Sequence, residues 1–221
     1  VLTITFNNPK KLNCMGFEML EAIDKEIETA KRNPEVKVIL FKGSGGRAFS
    51  TGANIKEFEA LKGDEVKRWI EFGNELNNKI ETIKKPTIAF IDGYAMGGGL
   101  ELALSCDFRL VTDNAILCSP EVNNGWLPGW GGMTRVRRLV GEAYAKQIIL
   151  LCEKFNAEDS LRIGLVTRII SESELSDFLK ELLEKKATAY ALAKSAVMDE
   201  NRTTYGSDLD FDVLAVKISQ E

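Results

Sequence analysis

The chain of 221 residues is 44% hydrophobic and 28% charged, the balance of a soluble globular protein long enough to bury a substantial core. Its net charge of −4 argues against non-specific nucleic-acid binding, and no apolar run approaches the roughly 18 residues of a membrane span. Histidine is absent, which excludes Ser-His-Asp and Cys-His catalysis, His-based zinc sites and His-ligated haem, and leaves proton transfer to carboxylates, Lys, Tyr, Cys or water.

In chain order, "VLTITFNNP" alternates apolar and polar residues like a strand and breaks at Asn-Pro. Phe17, Leu20, Ile23, Ile27 and Ala30 recur at helical spacing and predict an amphipathic helix over 16–32. Residues 37–43 predict a buried strand, followed by a glycine-rich loop, "GSGGRAFSTGAN". Val66, Trp69, Ile70, Gly73, Leu76, Ile80 and Ile83 predict a long helix that ends before Pro86, and residues 87–93 a second buried strand. After the triple glycine Gly97–Gly98–Gly99 and a helix come short strands over 107–112 and 115–119. "GEAYAKQIILL" and "AEDSLRIG" predict helices, "LVTRII" a strand, and Ser171 with Glu174 a capping box opening a further helix. The last segment, 201–221, predicts a helix approached through a polar loop. Alternating strands and helices without repeats or linkers indicate an α/β layered fold. Cys14, Cys106, Cys118 and Cys152 form no C-x-x-C pair and are expected to be reduced thiols, Cys106 and Cys118 in the core.

"GSGGRA" formally matches a dinucleotide fingerprint, but "FSTGAN" follows where an apolar helix is required, so a glycine-rich turn is the better reading. The triple glycine stands in a different context, between a buried strand and a helix. Its amides lack helical acceptors and sit at the positive end of the helix dipole, an arrangement suited to an oxygen carrying developing charge. Tight packing against a neighbour is the alternative reading of the same glycines. Glu101 follows in the first turn among Leu, Ala and Cys, where a lone carboxylate is costly unless it has a partner or a purpose. Burial would raise its pKa toward the range of proton transfer; a Glu serving only the helix dipole from solvent is the alternative. Ser119, Pro120 and Glu121 suit the N-cap, N1 and N2 positions of a short helix, and Glu121 supplies a second carboxylate beside a Gly- and Trp-rich loop.

These residues resemble the crotonase (enoyl-CoA hydratase/isomerase) superfamily over essentially the whole chain. The matching stretches are "FSTGANIKEF", "KPTIAFIDGYAMGGGLELALSCDFRL", "SPEVNNGWLPGWGGMTRVRRLVG" and "FNAEDSLRIGLVTRII", in the family's order and at its spacing. The resemblance implies a spiral of repeated ββα units over residues 1–170. A C-terminal helical region follows over 171–221, in which the family's last helices are expected to be largely absent. It also implies a homotrimer or dimer of trimers, a cytoplasmic location, and an acyl-CoA thioester as partner rather than nucleic acid or membrane. No metal or cofactor is implied beyond the coenzyme A of the substrate itself.

By motif position, the resemblance assigns Ala53 and Gly98 N–H to an oxyanion hole and Glu101 and Glu121 to the paired carboxylates of family members that hydrate a double bond. Gly129 matches a glycine whose amide orients the water. The expected reaction is reversible hydration of trans-2-enoyl-CoA, Glu101 assisting attack at Cβ and Glu121 delivering the proton to Cα. The alternatives are an isomerase or thioester hydrolase on the same scaffold, or a non-catalytic or RNA-binding homologue. The loops carrying Lys10, Lys11 and Asn54–Ile55–Lys56 match those that hold the CoA moiety. Asn54 replaces the family's usual Asp, and Trp126, Trp130 and Met133 stand where small or polar residues are common, so that they either narrow the acyl pocket or pack in the core or at a subunit contact.

Overall fold

The computed structural model describes residues 1–198 together with Val216 and Lys217; the C-terminal helix expected within 201–221 falls almost wholly outside the described residues. Five strands, β1 (Leu2–Phe6), β2 (Ile39–Gly43), β4 (Thr87–Ile91), β6 (Phe108–Val111) and β9 (Arg168–Ile169), form one parallel sheet in that order. A second sheet aligns β3 (Ala48–Ser50), β5 (Tyr94–Met96) and β7 (Ile116–Cys118) in parallel and adds the antiparallel β8 (Phe155–Asn156). Successive passes therefore place one strand in each sheet and then a helix, which is the ββα spiral.

The runs in β2 and β4 are continuously apolar because both faces of their sheet are covered. Ile39, Phe41, Ala89, Ile91 and Val111 face the main core with Phe6, Leu76 and Leu100. Leu40, Ile88, Phe90 and Leu110 face the other way, against Leu175, Phe178 and Leu182 of α7 (Glu172–Leu183). Helix α8 (Ala187–Met198) is tied to this outer face by Asp107, which accepts hydrogen bonds from Lys194 Nζ (2.9 Å) and Tyr190 Oη (3.0 Å). On the inner side lie α1 (Phe17–Arg32), α2 (Ile55–Ala60), α3 (Asp64–Thr82) and α4 (Gly98–Ser105). Helix α5 (Gly132–Leu150) bends at Gly141 (φ 75°), and α6 (Ala157–Arg162) follows β8.

Three local expectations are corrected. The loop 43–54 contains β3, and β5 intervenes between the second buried strand and the triple glycine; strands of three residues are too short to show an alternation. Glu121 is not at N2 of a helix capped by Ser119: it immediately precedes a 3₁₀ turn over Val122–Asn124, and the Ser119 hydroxyl donates to its carboxylate instead. Helix α5 begins at Gly132, nine residues before the segment whose pattern predicts it; in its first half the buried positions are Gly132, Arg135 and Val136, which write no apolar period. The capping interaction at α7 matches expectation, Ser171 N–H donating to Glu174 Oε2 at 2.7 Å. Cys106, Cys118 and Cys152 are buried, and all four cysteines are free thiols.

The register of the second sheet matters most for function. Its three parallel strands end at the same edge, so the residues just beyond β3, β5 and β7 (Ala53, Gly97–Gly98 and Ser119–Glu121) come together although up to 68 positions apart in sequence. Helix α4 seats directly on β3: a Cβ at Gly99 would lie 2.4 Å from the Ser50 carbonyl oxygen. Gly99→Ala is expected to cost about 1–3 kcal/mol through this overpacking, although Ala is otherwise the better helix residue; thermal unfolding of the two proteins checks it.

Candidate active site

A cavity of about 620 Å³ opens at that edge, lined by Ala53, Gly98, Glu101, Glu121, Gly129 and an apolar wall including Phe58, Trp69, Ile70, Trp126, Trp130 and Met133. Two residues of this lining, Ala53 and Gly98, have backbone amides without an acceptor among the described residues. Met15 bridges the chain at Ala53, donating to Gly52 O (2.7 Å) and accepting from Asn54 N–H (2.8 Å). Because N–H groups alternate along an extended segment, the Ala53 N–H between them points the opposite way and meets no acceptor among the described residues. Gly98, at N1 of α4, likewise lies beyond the reach of helical acceptors. The two segments are in contact, since a Cβ on Gly52 would lie 2.7 Å from Gly98 N.

Each glycine of the triplet has its own physical reason. Gly97 takes φ 54°, and a Cβ there would stand 3.1 Å from Glu121 Oε1. Gly98 leaves room for the Trp130 indole, which a Cβ would meet at 2.3 Å, and Gly99 admits the backbone of β3. Packing and amide presentation are thus one arrangement. Without side chains, α4 can approach closely enough for its N-terminus to form part of the cavity wall.

Glu101 is 4% exposed, and a single oxygen of it carries the polar contacts. Its Oε1 accepts from Trp130 N–H and Gly132 N–H, both at 2.8 Å. Gly132 is the first residue of α5, so the carboxylate sits at that helix's positive end. Burial, reinforced by the neighbouring Glu121 charge, pushes the Glu101 carboxyl up to about 7, against the pull of the two amides and Arg135. Glu121, also buried, is raised mainly by desolvation; the Ser119 hydroxyl, donating to its Oε2 at 2.6 Å, partly opposes this. Two carboxyls whose ionisation is opposed chiefly by burial, facing one cavity, suit the movement of a proton in either direction near neutral pH.

The aromatic residues settle into the cavity wall. Trp130 is slotted between α3 and α4 where both carry glycine, a Cβ at Gly73 lying 2.3 Å from its indole nitrogen, and packs on Trp69 with 5.5 Å between ring centroids. Trp126 packs edge-on against Phe58 at 5.0 Å. Lys11, Asn54, Ile55 and Lys56 lie outside the lining; Lys10, Lys11, Ile55 and Lys56 are exposed at the loops beside it. Asn54 acts within its loop, donating from Nδ2 to Glu57 Oε2 (3.3 Å), while Glu57 Oε1 accepts from Phe17 N–H at the start of α1 (3.2 Å). An Asp at 54 would oppose a carboxylate at this distance, which accounts for the Asn in this chain.

Sequence reasoning missed Asn77 and Arg135, buried polar residues that both donate to the Trp130 carbonyl, each at 3.0 Å. Their helices present ordinary polar patterns, and only burial marks them out.

The raised Glu101 carboxyl carries a stability cost with a definite sign. Between its ordinary 4.5 and about 7 the folded protein retains a proton that the unfolded chain loses, so stability falls as pH rises through that window. Glu101→Gln keeps an oxygen for the two amides and removes the charge. It is expected to be more stable than the parent at about pH 8, by up to about 3 kcal/mol, with the difference closing below about pH 4.5; calorimetry across pH checks this.

Residues 1–218 match the model of the family described as enoyl-CoA hydratase/isomerase. The chain is 37% identical to a short-chain-enoyl-CoA hydratase of Clostridium acetobutylicum over 201 residues, which cover 89% of this chain and 77% of the relative. It is 35% identical, with the same coverage, to a crotonyl-CoA hydratase of Syntrophomonas wolfei. The crystal structure of an enoyl-CoA hydratase from Bacillus anthracis superposes with a TM-score of 0.92 at 26% identity, covering 97% of this chain and 85% of that one. On this agreement of sequence and architecture, the chain belongs to the enoyl-CoA hydratase/isomerase family.

Proposed function

We propose that the protein is an enoyl-CoA hydratase acting on short trans-2-enoyl-CoA thioesters. The observation that carries this reading is the meeting of two unspent amides and two buried carboxyls at one cavity. The Ala53 and Gly98 N–H groups receive the thioester oxygen, and their hydrogen bonds strengthen as charge moves onto it in the enolate-like transition state. Each such donor is worth about 3–4 kcal/mol in comparable sites. Water sits between Glu101 and Glu121, its oxygen directed by the Gly129 amide. Glu101 draws a proton from the water as oxygen bonds to Cβ; Glu121 gives a proton to Cα. The sum is addition of one water across the double bond, and the proton gained by Glu101 passes back to Glu121, directly or through water, before the next turnover. Carboxyls and amides perform every step, so the chemistry asks for no metal or redox group. The CoA moiety extends toward the loops of Lys11 and Asn54–Lys56.

The short acyl preference rests on Trp126, Trp130 and Met133 in the cavity wall and agrees with the names of the Clostridium and Syntrophomonas relatives. Assembly as a trimer or pair of trimers and a cytoplasmic location belong to the same proposal; light scattering tests the first. Among the described residues, no helix is long and apolar enough to cross a membrane.

Incubation with crotonyl-CoA is expected to remove the enoyl-thioester absorbance and yield a product heavier by one water. Double-bond migration or free CoA would instead identify an isomerase or a hydrolase. Glu121→Gln is expected to lower turnover by about 10²–10⁴-fold while acyl-CoA binding persists; near-normal turnover would rule out Glu121 as the proton donor to Cα. Trp126→Ala is expected to raise the rate on an eight-carbon enoyl-CoA relative to crotonyl-CoA, measured as a ratio of kcat/KM, by about tenfold at most for the space released.

A further inference from the structure

The turn that holds Glu101 is itself held from behind. The Trp130 carbonyl accepts from Asn77 Nδ2 on α3 and from Arg135 Nη1 on α5, both at 3.0 Å. Asn77 is 1% exposed and Arg135 4%. The guanidinium also donates from Nε to Glu81 Oε2 (2.9 Å) and from Nη2 to Asn78 Oδ1 (2.6 Å), and Glu81 pairs in turn with Arg138. It lies flush over the turn, since a Cβ at Gly131 (φ 90°) would be 2.2 Å from Nη1.

We infer that Arg135 and Asn77 are positioning residues for the proposed base: by gripping the Trp130 carbonyl from two helices they fix the Trp130–Gly132 turn whose N–H groups hold Glu101. The inference rests on the hydratase reading for its kinetic meaning, though not for its geometry. A clamp serving only to join α3 and α5 would be complete with Glu81 and Asn78. The bond to Trp130 adds nothing to it, and the Asn77 side chain, whose amide donates to Trp130 and to neither Glu81 nor Asn78, would have no part in it. A buried ion pair is also a weak source of stability, because desolvation offsets its attraction, whereas it can define a geometry well. Two donors on one carbonyl leave the turn a single orientation, and that orientation aims two amides at one carboxylate oxygen.

The ionisable surroundings of Glu101 are few. From α5 comes Arg135, and from the segment after β7, Glu121. Helix α3 brings uncharged Asn74 and Asn77, with Glu81 engaged by Arg135 and Arg138. Strand β3 offers no ionisable side chain, and Tyr94 of β5 is solvent-exposed. Loosening the amides, or removing the Arg135 charge, therefore shifts Glu101 toward its protonated form, Arg135 being the cation that opposes this shift among the described residues.

The test uses the full chain with crotonyl-CoA. Wild-type activity is measured first, and its absence would count against the hydratase reading before any variant is made. Asn77→Ala and Arg135→Met are expected to lower kcat by up to about 10²-fold with KM within about threefold, and to move the acid limb of kcat/KM to higher pH; Arg135→Lys recovers part of both. Carbon-13 NMR of the Glu101 carboxyl reads the clamp independently of turnover, and its titration is expected to move upward in Asn77→Ala. Folded variants with the parent's kcat, or with reduced kcat but an unmoved acid limb and titration, would overturn the inference. Should Arg135→Met fail to fold, Asn77→Ala carries the same decision, because it leaves the ion pair intact.

Discussion

The site is organised around one buried carboxylate oxygen and the two backbone amides that hold it. Removing a carboxylate from water is costly, and Glu101 Oε1 recovers part of that cost only while Trp130 N–H and Gly132 N–H remain at 2.8 Å. That condition propagates outward. Gly132 must be glycine, because a Cβ would fall 2.7 Å from Glu101 Cγ, and Gly131 must turn through positive φ to start α5 at this point. Trp130 must bury its ring between Gly73 and Gly98 so that its backbone stays in place. The glycines of three separate helices are thus explained by one hydrogen-bonded group.

Two helix N-termini converge on the cavity with separate tasks. Helix α5 directs its first amide at Glu101, and α4 begins at the cavity, where on the proposed reading its first amide receives the substrate's oxygen. Both interactions strengthen as bulk water is displaced from around them, and Trp69, Trp126, Trp130 and Phe58 give the cavity an apolar wall that favours this. The same dryness that strengthens the amides raises both carboxyls. Stability and chemistry therefore oppose one another at Glu101: the environment that destabilises its charged form is the one that makes it a useful proton acceptor near neutral pH.

What the sequence could reveal follows from the range of the physics involved. Helices α1 and α3 and strands β2 and β4 were legible because burial of one helix face or of both strand faces writes a period into neighbouring residues. Strands β3 and β5 were not, since three residues with Gly and Ser neighbours carry no period. Glu101 could be singled out because an acid among apolar neighbours is locally anomalous. Glu121 was noticed through a cap pattern that the structure does not use, its Ser119 serving the carboxylate rather than a helix. Asn77 and Arg135 left no trace, because an Asn and an Arg on polar helix stretches look solvated until α3 and α5 are packed together. The family resemblance supplied the pairing of Ala53 with Gly98, which no local rule contains.

That pairing is a consequence of the spiral. In the second sheet β3, β5 and β7 run parallel as immediate neighbours, and the chain leaves all three at the same edge. A pair of amide donors from Ala53 and Gly98, as proposed, with Glu121 alongside, therefore requires no long excursion of any loop; each element needs only to follow its own strand. Glu101 completes the site from one turn inside α4, and the start of α5 folds back to meet it. The parts are held by interactions of different range: strand register for the amides, helix packing for Glu101, and the α3–α5 clamp for the turn above it. Displacing any one moves a single distance among the reacting groups rather than dissolving the fold, so variation at the cavity wall can alter what is bound while the register keeps amides and carboxyls together.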